Sequence, residues 1–201
     1  MQTRNSIVLA AGQLFRRHGF EAVSIDDIMA ACDLTRGSFY HHFASKNQLL
    51  AEALQVARYD IVSKLQERRS KKPNVLRREA LRRLSMYLEP DSRDYVRENC
   101  PLAALPADAV RAGKAAREAF QEKFTALADE LQRGSQGSAE DRAQAFVAIV
   151  LCAGGVLLSS AVSNPSLARQ ISEACQDAVS KTFANARKRR PRESKKRVHS
   201  R

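Results

Sequence analysis

Three helix start signals within 22 residues constrain the fold of this chain more than any other feature. They are Ser24 with Asp27, Thr35, and Ser45 with Gln48. Each places a small polar side chain where its oxygen can accept hydrogen bonds from the first N–H groups of a helix. Upstream lies an apolar stripe at helical spacing, followed by the stop signal Gly19. The pattern predicts a head of short helices, joined to the rest of the chain by a long helix over 46–69.

The remainder of the chain also favours helices. Among its 201 residues Gly and Pro are sparse, at 8 and 6, and Trp is absent, while Ala, Leu, Arg, Glu and Gln are abundant. The expected elements are a break at 70–73, a helix over 74–89, a short helix from 90 that ends before Pro101, a long helix over 106–133, an apolar helix over 138–162, and a last helix from Pro165 to about Phe183. The predicted fold class is all-α.

The positive charge is unevenly distributed. The net charge is +12, but residues 1–46 carry five Lys/Arg against four acids, whereas 58–83 carry ten against three and 187–201 carry nine against one. A basic balance favours nucleic acid as a partner, although this distribution does not locate a DNA-binding head. The tail over 187–201 is predicted to be disordered. It has three interpretations: a solubilising run, a nonspecific DNA arm, which we slightly prefer, or a nuclear-localisation lookalike.

Cysteine spacing and hydropathy exclude several classes of protein. Four cysteines form no CxxC pair and show no metal-ligand spacing with the four histidines, and the sequence shows no signal peptide. We therefore expect a reduced, cytoplasmic protein without a metal or cofactor. The apolar run over 145–162 contains glycines, serines and a cysteine and follows a charged segment, so a buried helix is favoured over a membrane span.

A short helix over 36–43 has the character of a DNA-reading element. Two turns are too few for a stable isolated helix, so Phe39 and Phe43 must pack against neighbouring helices. The opposite face presents Arg36, Gly37, Ser38, Tyr40 and His41, which are polar or small enough to enter a major groove. Ser24 and Lys46 begin the flanking helices, where free N–H groups favour phosphate. The alternative is an ordinary three-helix core with a solvated Tyr and His.

These residues closely resemble the DNA-binding domain of the TetR/AcrR family of bacterial transcription regulators. The resemblance lies in Leu14-Phe15, Gly19-Phe20, Ser24, Ile28, Leu34-Thr35-Arg36-Gly37-Ser38-Phe39-Tyr40-His41-His42-Phe43-Ala44-Ser45-Lys46 and Leu49-Leu50. It covers residues 4–52, and the run Gly-Ser-Phe-Tyr-x-His-Phe-x-Ser-Lys is its most diagnostic part. It implies about nine helices, a homodimer, and a small-molecule pocket in the C-terminal domain.

The resemblance also implies roles for the residues of the head. Bases or the nearby backbone would be contacted by Arg36, Gly37, Ser38 and Tyr40, and phosphates would be held by Ser24, Thr35, His42 and Lys46. His41 lies where members of the family vary, so its role on DNA stays open. Phe39 and Phe43 are interpreted as structural.

The C-terminal segment suggests a dimer interface and a sensor. The last two helices are expected to pair in a four-helix dimer, with an intrachain core as the alternative. The segment over 98–105 is similar to a cysteine-containing elbow in a subgroup that includes sensors of electrophiles and oxidants, which makes Cys100 a candidate thiol, with the other three cysteines shielded. The competing and preferred hypothesis is an apolar ligand near Tyr87, Phe120 and Phe124.

The polar face of the short helix predicts a DNA-binding protein, and the resemblance implies a sequence-specific transcription regulator, a repressor released from a palindromic operator by a small molecule or an electrophile. The expected division is a DNA-binding domain over 1–46, an effector and dimerisation domain over 47–186, and the tail over 187–201. No nucleophile motif, phosphate loop or dinucleotide fingerprint supports an enzyme. The alternative is a nucleoid-type protein that binds DNA nonspecifically through the tail.

Overall fold

The computed structural model describes residues 2–57, 72–89, 92, 95–96, 100–133 and 138–188. Every regular element in these ranges is a helix, which confirms the all-α class. The ten helices are α1 (Gln2–His18), α2 (Ile25–Ala30), α3 (Arg36–Phe39), α4 (Lys46–Val56), α5 (Pro73–Tyr87), α6 (Pro101–Ala104), α7 (Pro106–Arg111), α8 (Lys114–Gln132), α9 (Ala139–Ala161) and α10 (Pro165–Lys188).

Local hydrogen bonds explain where most of these helices begin. Ser24 caps α2 in a reciprocal pair with Asp27, as predicted. Ser45 caps α4 by accepting from the N–H of Gln48, but the Gln48 side chain accepts from the N–H of Ala44 at 2.9 Å rather than from that of Ser45. Further along, Ser138 caps α9 in a second reciprocal pair, and Asn164 Oδ1 accepts two N–H groups at the start of α10. Thr35 occupies the cap position of α3 without a side-chain cap bond, so that part of the prediction is wrong.

Two helices of the head are shorter than the sequence pattern predicts. The recognition segment forms one helical turn, Arg36–Phe39, and continues over 40–42 as turns. The predicted single helix over 46–69 is wrong because α4 ends at Val56, where Ala57 takes an extended ψ of 118°. Residues 58–71 lie outside the described part of the chain. Asp33, with φ of 56°, provides the left-handed turn between α2 and α3 that Asp tolerates better than most residues.

Three predictions for the C-terminal segment also need correction. The predicted helix over 106–133 is two helices, because Gly113 has a φ of 98° and breaks the hydrogen-bond ladder between α7 and α8. The segment after Cys100 is the helical turn α6 rather than an irregular elbow. The last helix extends to Lys188, so the first two residues of the predicted disordered tail are helical, and 189–201 lie outside the described residues.

Two hydrophobic cores organise the fold. The head core contains buried side chains of α1 to α4, among them Phe15, Ile28 and Leu50. It extends through Leu105, which lies between α6 and α7, to Ala109 of α7 and to Ala116 and Ala119 of α8. The C-terminal core lies among α5, α6, α8, α9 and α10. The partly buried ring of Phe120 packs against both cores. Packing is therefore continuous from the head into the C-terminal segment.

Helix α9 has two different faces. By length and composition alone it is apolar enough to cross a membrane, a criterion that core helices of globular proteins also meet. One face packs against α10, α8, α6 and α5 and buries Ala148, Cys152 and Val156. The other face leaves an apolar stripe exposed, formed by Phe146, Val147, Val150, Leu157 and Leu158. The predicted burial of this helix is therefore confirmed on one side only.

Candidate nucleic-acid interface

The helical turn α3 is held in place by its buried aromatic side chains. Phe39 is fully buried and Phe43 is 2% exposed, which confirms their structural role. Their rings lie 5.6 Å apart, and the guanidinium of Arg4 lies 4.6 Å from the Phe43 ring centroid. The same guanidinium donates to Glu52 at 2.7 Å and so connects α1 with α4 around this anchor. A turn too short to be stable alone is thereby anchored in the head core.

The opposite side of α3 faces outward. Thr35, Arg36, Gly37, Tyr40 and His41 are exposed, and Ser38 and His42 are half-buried. A Cβ built on Gly37 would meet no atom within 4 Å, so open space adjoins the helix at this point. The hydroxyls of Thr35 and Ser38 lie 3.2 Å apart. The structure therefore places seven of the nine predicted DNA-binding residues together on or beside one exposed helical turn.

Arg36 is held by a partner from α2. Its Nη1 donates to Oδ2 of Asp26 at 2.6 Å, and both side chains are more than half exposed. The charge of Asp26 and its hydrogen bond raise the pKa of Arg36, with Tyr40 as a further contributor. Tyr40 in turn lies edge-on against Phe39, with ring centroids 5.2 Å apart. The candidate base-reading cation is thus oriented before any DNA is present.

The other two predicted residues, Ser24 and Lys46, lie at the beginnings of α2 and α4. The N–H and hydroxyl of Ser24 both donate to Asp27, at 2.8 and 2.6 Å, and these bonds lower the pKa of the Asp27 carboxyl. Lys46 lies close enough to Asp27 to contribute to that lowering, and its Nζ is 4.3 Å from the centroid of the Phe20 ring. The structure therefore brings Ser24 and Lys46 to the same acidic side chain.

Two hydrogen bonds connect this head to the C-terminal segment, and sequence reasoning missed both. The N–H of Phe20 donates to the nearly buried carboxylate of Asp108 on α7 at 3.4 Å. Nδ2 of Asn47 donates to the carbonyl of Ala112, next to the Gly113 break, at 3.1 Å. The partners are 88 and 65 residues apart, so no periodic pattern reports them. The one sequence signal for Asp108 was an acid within the otherwise apolar run over 106–110.

The predicted sensor residues surround the C-terminal core. Tyr87, Phe120 and Phe124 are partly buried and pack against it, and Phe124 lies 5.4 Å from the ring of Phe146 on α9. Cys100 is buried in that core. Burial raises the pKa of its thiol, although a hydrogen bond with Tyr87 and the first N–H groups of α6 act in the opposite direction. The four predicted residues therefore belong to one part of the fold.

The other cysteines differ from the predicted pattern of shielding. Cys152 is buried, but Cys32 and Cys175 are only half-buried, so the expectation that all three are better shielded than Cys100 is wrong. Burial is the main cause that raises the pKa of Cys32 and of Cys175. Among the described residues no group of three or more Cys, His, Asp or Glu has the arrangement of a metal site.

The N-terminal residues also match a known family. Residues 7–53 match the sequence profile of bacterial regulatory proteins of the tetR family, and these are the residues that build the head described above. Residues 7–53 therefore have the sequence of a TetR-family N-terminal domain.

Curated relatives match the chain over the head. The Transposon Tn10 TetC protein of Escherichia coli is 49% identical over 49 residues, which cover 24% of this chain and 25% of that protein. The A-factor receptor protein of Streptomyces griseus is 41% identical over 54 residues, which cover 27% and 19%. The match spans a quarter or less of the length of these relatives.

Solved structures extend the likeness to the whole fold. A TetR-family transcriptional regulator from Cytophaga hutchinsonii has a TM-score of 0.68 at 22% identity, covering 92% of this chain and 94% of that one. The reduced form of E. coli NemR gives 0.68 at 18%, covering 90% and 96%. The multidrug binding protein EbrR, solved with proflavin, gives 0.66 at 20%, covering 90% and 99%. At these identities the likeness establishes the fold: a helix-turn-helix head followed by a helical C-terminal domain.

Proposed function

We propose that this chain is a sequence-specific DNA-binding transcription regulator of the TetR family that acts as a repressor in the cytoplasm, at the nucleoid. The observation that carries the proposal is the exposed polar face of α3, held by the buried rings of Phe39 and Phe43. Such a face can meet base edges in the major groove, while Ser24, Thr35, His42 and Lys46 hold the backbone. The relatives' match to this same head supports it.

The exposed stripe of α9 supports a homodimer. Val150 and Leu158 are 61% and 60% exposed, and Leu167 of α10 is 44% exposed. A contiguous apolar stripe on a long helix is characteristic of a protein-protein contact, and pairing α9 and α10 with their copies forms a four-helix bundle. In the proposed dimer the two copies of α3 lie about 34–36 Å apart, in successive major grooves of a palindromic operator.

We further propose that an apolar small molecule releases the repressor from its operator. Tyr87, Phe120 and Phe124 offer an aromatic lining around the C-terminal core. Phe120 also packs against the head core, so a displacement of its ring would change the packing of both cores. The bonds of Phe20 to Asp108 and of Asn47 to Ala112 would transmit the shift to the helix starts of the head. That EbrR was solved with proflavin supports a ligand of this kind.

Modification of Cys100 by an electrophile is the second candidate for release. The observation in its favour is the position of Cys100 at the start of α6, where the N–H groups of Leu102 and Ala103 lower the thiol pKa. Burial outweighs them, and the net change raises this pKa. We therefore favour the reversible ligand. Cys100→Ser distinguishes the two: under the thiol mechanism the variant stays on the operator when electrophile is added, whereas wild type is released.

The test of the main proposal is selection of a binding site from randomised duplex DNA by the full chain at about 0.15 M salt. We expect an enriched palindrome, bound orders of magnitude more tightly than random duplex. Arg36→Ala should lower operator affinity on the order of tenfold and relax one base preference. Lys46→Ala should weaken all sequences alike and reduce the salt slope by about one charge. A nucleoid-type protein would instead enrich no sequence and lose its affinity when the tail is removed.

A further inference from the structure

An exposed carboxylate lies beside the arginine that is proposed to read bases. Oδ2 of Asp26 accepts from Nη1 of Arg36 at 2.6 Å, and the two side chains are 56% and 60% exposed. Ten residues separate them, so the pairing is set by the packing of α2 against α3 rather than by the repeat of one helix. Both exposed side chains therefore lie next to each other where α2 meets α3.

Stability does not explain this ion pair. Exposed pairs contribute little to folding because solvent and salt screen them. Asp26 lies in the first turn of α2, where a carboxylate interacts favourably with the helix dipole, but this gain is small and does not require the ion pair with Arg36. On a surface that meets DNA, a carboxylate also repels phosphate and weakens binding to every sequence. The pairing of this carboxylate with Arg36, which helix stability does not require, is explained if Asp26 contributes to the choice of sequence.

The chemistry of the pair indicates what that contribution is. A guanidinium has five N–H donors, and Asp26 holds one end of it, which leaves donors for the O6 and N7 of a guanine. Fixing the side chain beforehand reduces the rotamer freedom lost when DNA binds. The carboxylate has acceptor capacity beyond this one bond, and a carboxylate in the major groove accepts from the amino group of cytosine.

We propose that Asp26 is a specificity-determining residue: it positions Arg36 on a guanine and itself accepts from the amino group of a cytosine in the neighbouring base pair. The inference rests on the proposed function, since it concerns how the same head chooses its operator. It assigns a DNA-facing role to α2 that the polar face of α3 alone does not require.

The experiment uses the full chain with two duplexes, the site selected by wild type and a random sequence of equal length. Asp26→Ala should lower the ratio of operator to random-duplex affinity about tenfold, the effect of losing one good base contact, while affinity for random duplex rises. The matched control is Glu21→Gln, which removes the charge of another exposed carboxylate of the head. It should raise both affinities by a similar factor and leave the ratio unchanged.

Two further variants separate positioning from general electrostatics. Asp26→Asn keeps the size of the side chain but replaces the carboxylate with an amide, which suits adenine. Repeated selection with this variant should therefore exchange the cytosine for adenine. In an Arg36→Ala background, Asp26→Ala should lower the affinity ratio by less than it does in wild type, because the guanine contact is already lost.

The outcomes separate this inference from the proposed function. If Asp26→Ala behaves like Glu21→Gln and Asp26→Asn selects the wild-type site, Asp26 is only a nearby charge and the inference is overturned. If wild type enriches no sequence, the proposed function fails first and the inference fails with it. Thermal unfolding of each variant shows whether the head is intact; should Asp26→Ala not fold, the site selected by Asp26→Asn decides the matter.

Discussion

Replacing Gly155 with alanine tests how closely α9 packs inside the C-terminal domain. A Cβ at this position would lie 2.8 Å from Cδ2 of Leu88 and 3.0 Å from Sγ of Cys175. Leu88 is fully buried and cannot turn toward solvent. The Cβ of Cys175, at 3.2 Å, is fixed to the backbone of α10, so the two helices must separate slightly. Overpacking of this kind costs about 1–3 kcal/mol.

The neighbouring Gly154 provides a matched control, because an added Cβ there meets no atom within 4 Å. Both substitutions gain about 1 kcal/mol from the higher helix propensity of alanine. That gain cancels in the comparison, so Gly155→Ala should be less stable than Gly154→Ala by about 1–3 kcal/mol. Urea unfolding measures the difference. Because Gly154 lies on the outer face of α9, unfolding is repeated at several protein concentrations with sedimentation to follow the dimer. Equal stability of the two variants at equal dimer content would refute the packing argument.

Three more predictions concern the dimer, the thiols and the contact between the domains. Val150→Asp, at a residue 61% exposed in the single chain, should yield a monomer in sedimentation and lose tight operator binding; a stable dimer would contradict the assigned interface. Cys100 is buried and Cys32 is half-buried, so alkylation of Cys100 should be slower; burial raises the thiol pKa of both, so both rates should increase with pH, as mass spectrometry of labelled peptides would show. Asp108→Ala leaves the N–H of Phe20 without this acceptor and should cost about 1–3 kcal/mol in urea unfolding. Asp108→Asn, which keeps an oxygen acceptor for Phe20 but removes the charge that pairs with Arg111, is its control and should cost less.

Much of the candidate interface was predictable from the sequence because its local signals are strong. Ser24, Ser45, Ser138 and Asn164 cap helices within three residues of themselves, and such bonds need only the chain nearby. The spacing of Phe39 and Phe43 likewise indicated that one side of the short helix over 36–43 packs against neighbouring helices. Those features identified the head and its exposed face. The assigned DNA contacts and the division into domains stay predictions.

The tertiary structure decided which segments that are distant in the chain come into contact. The left-handed φ at Gly113 separates α7 from α8, although the apolar pattern continues through this position. The sequence did not indicate the break, because a glycine within a helical pattern is compatible with an interior residue as well as with a helix end. Arg36 meets Asp26 because α2 packs on α3, and Phe20 meets Asp108 across 88 residues. Hydrophobic periodicity states which side of a helix is buried but not which helix covers it. The sequence therefore determined where helices start and which faces are apolar, and packing determined which polar groups meet across them.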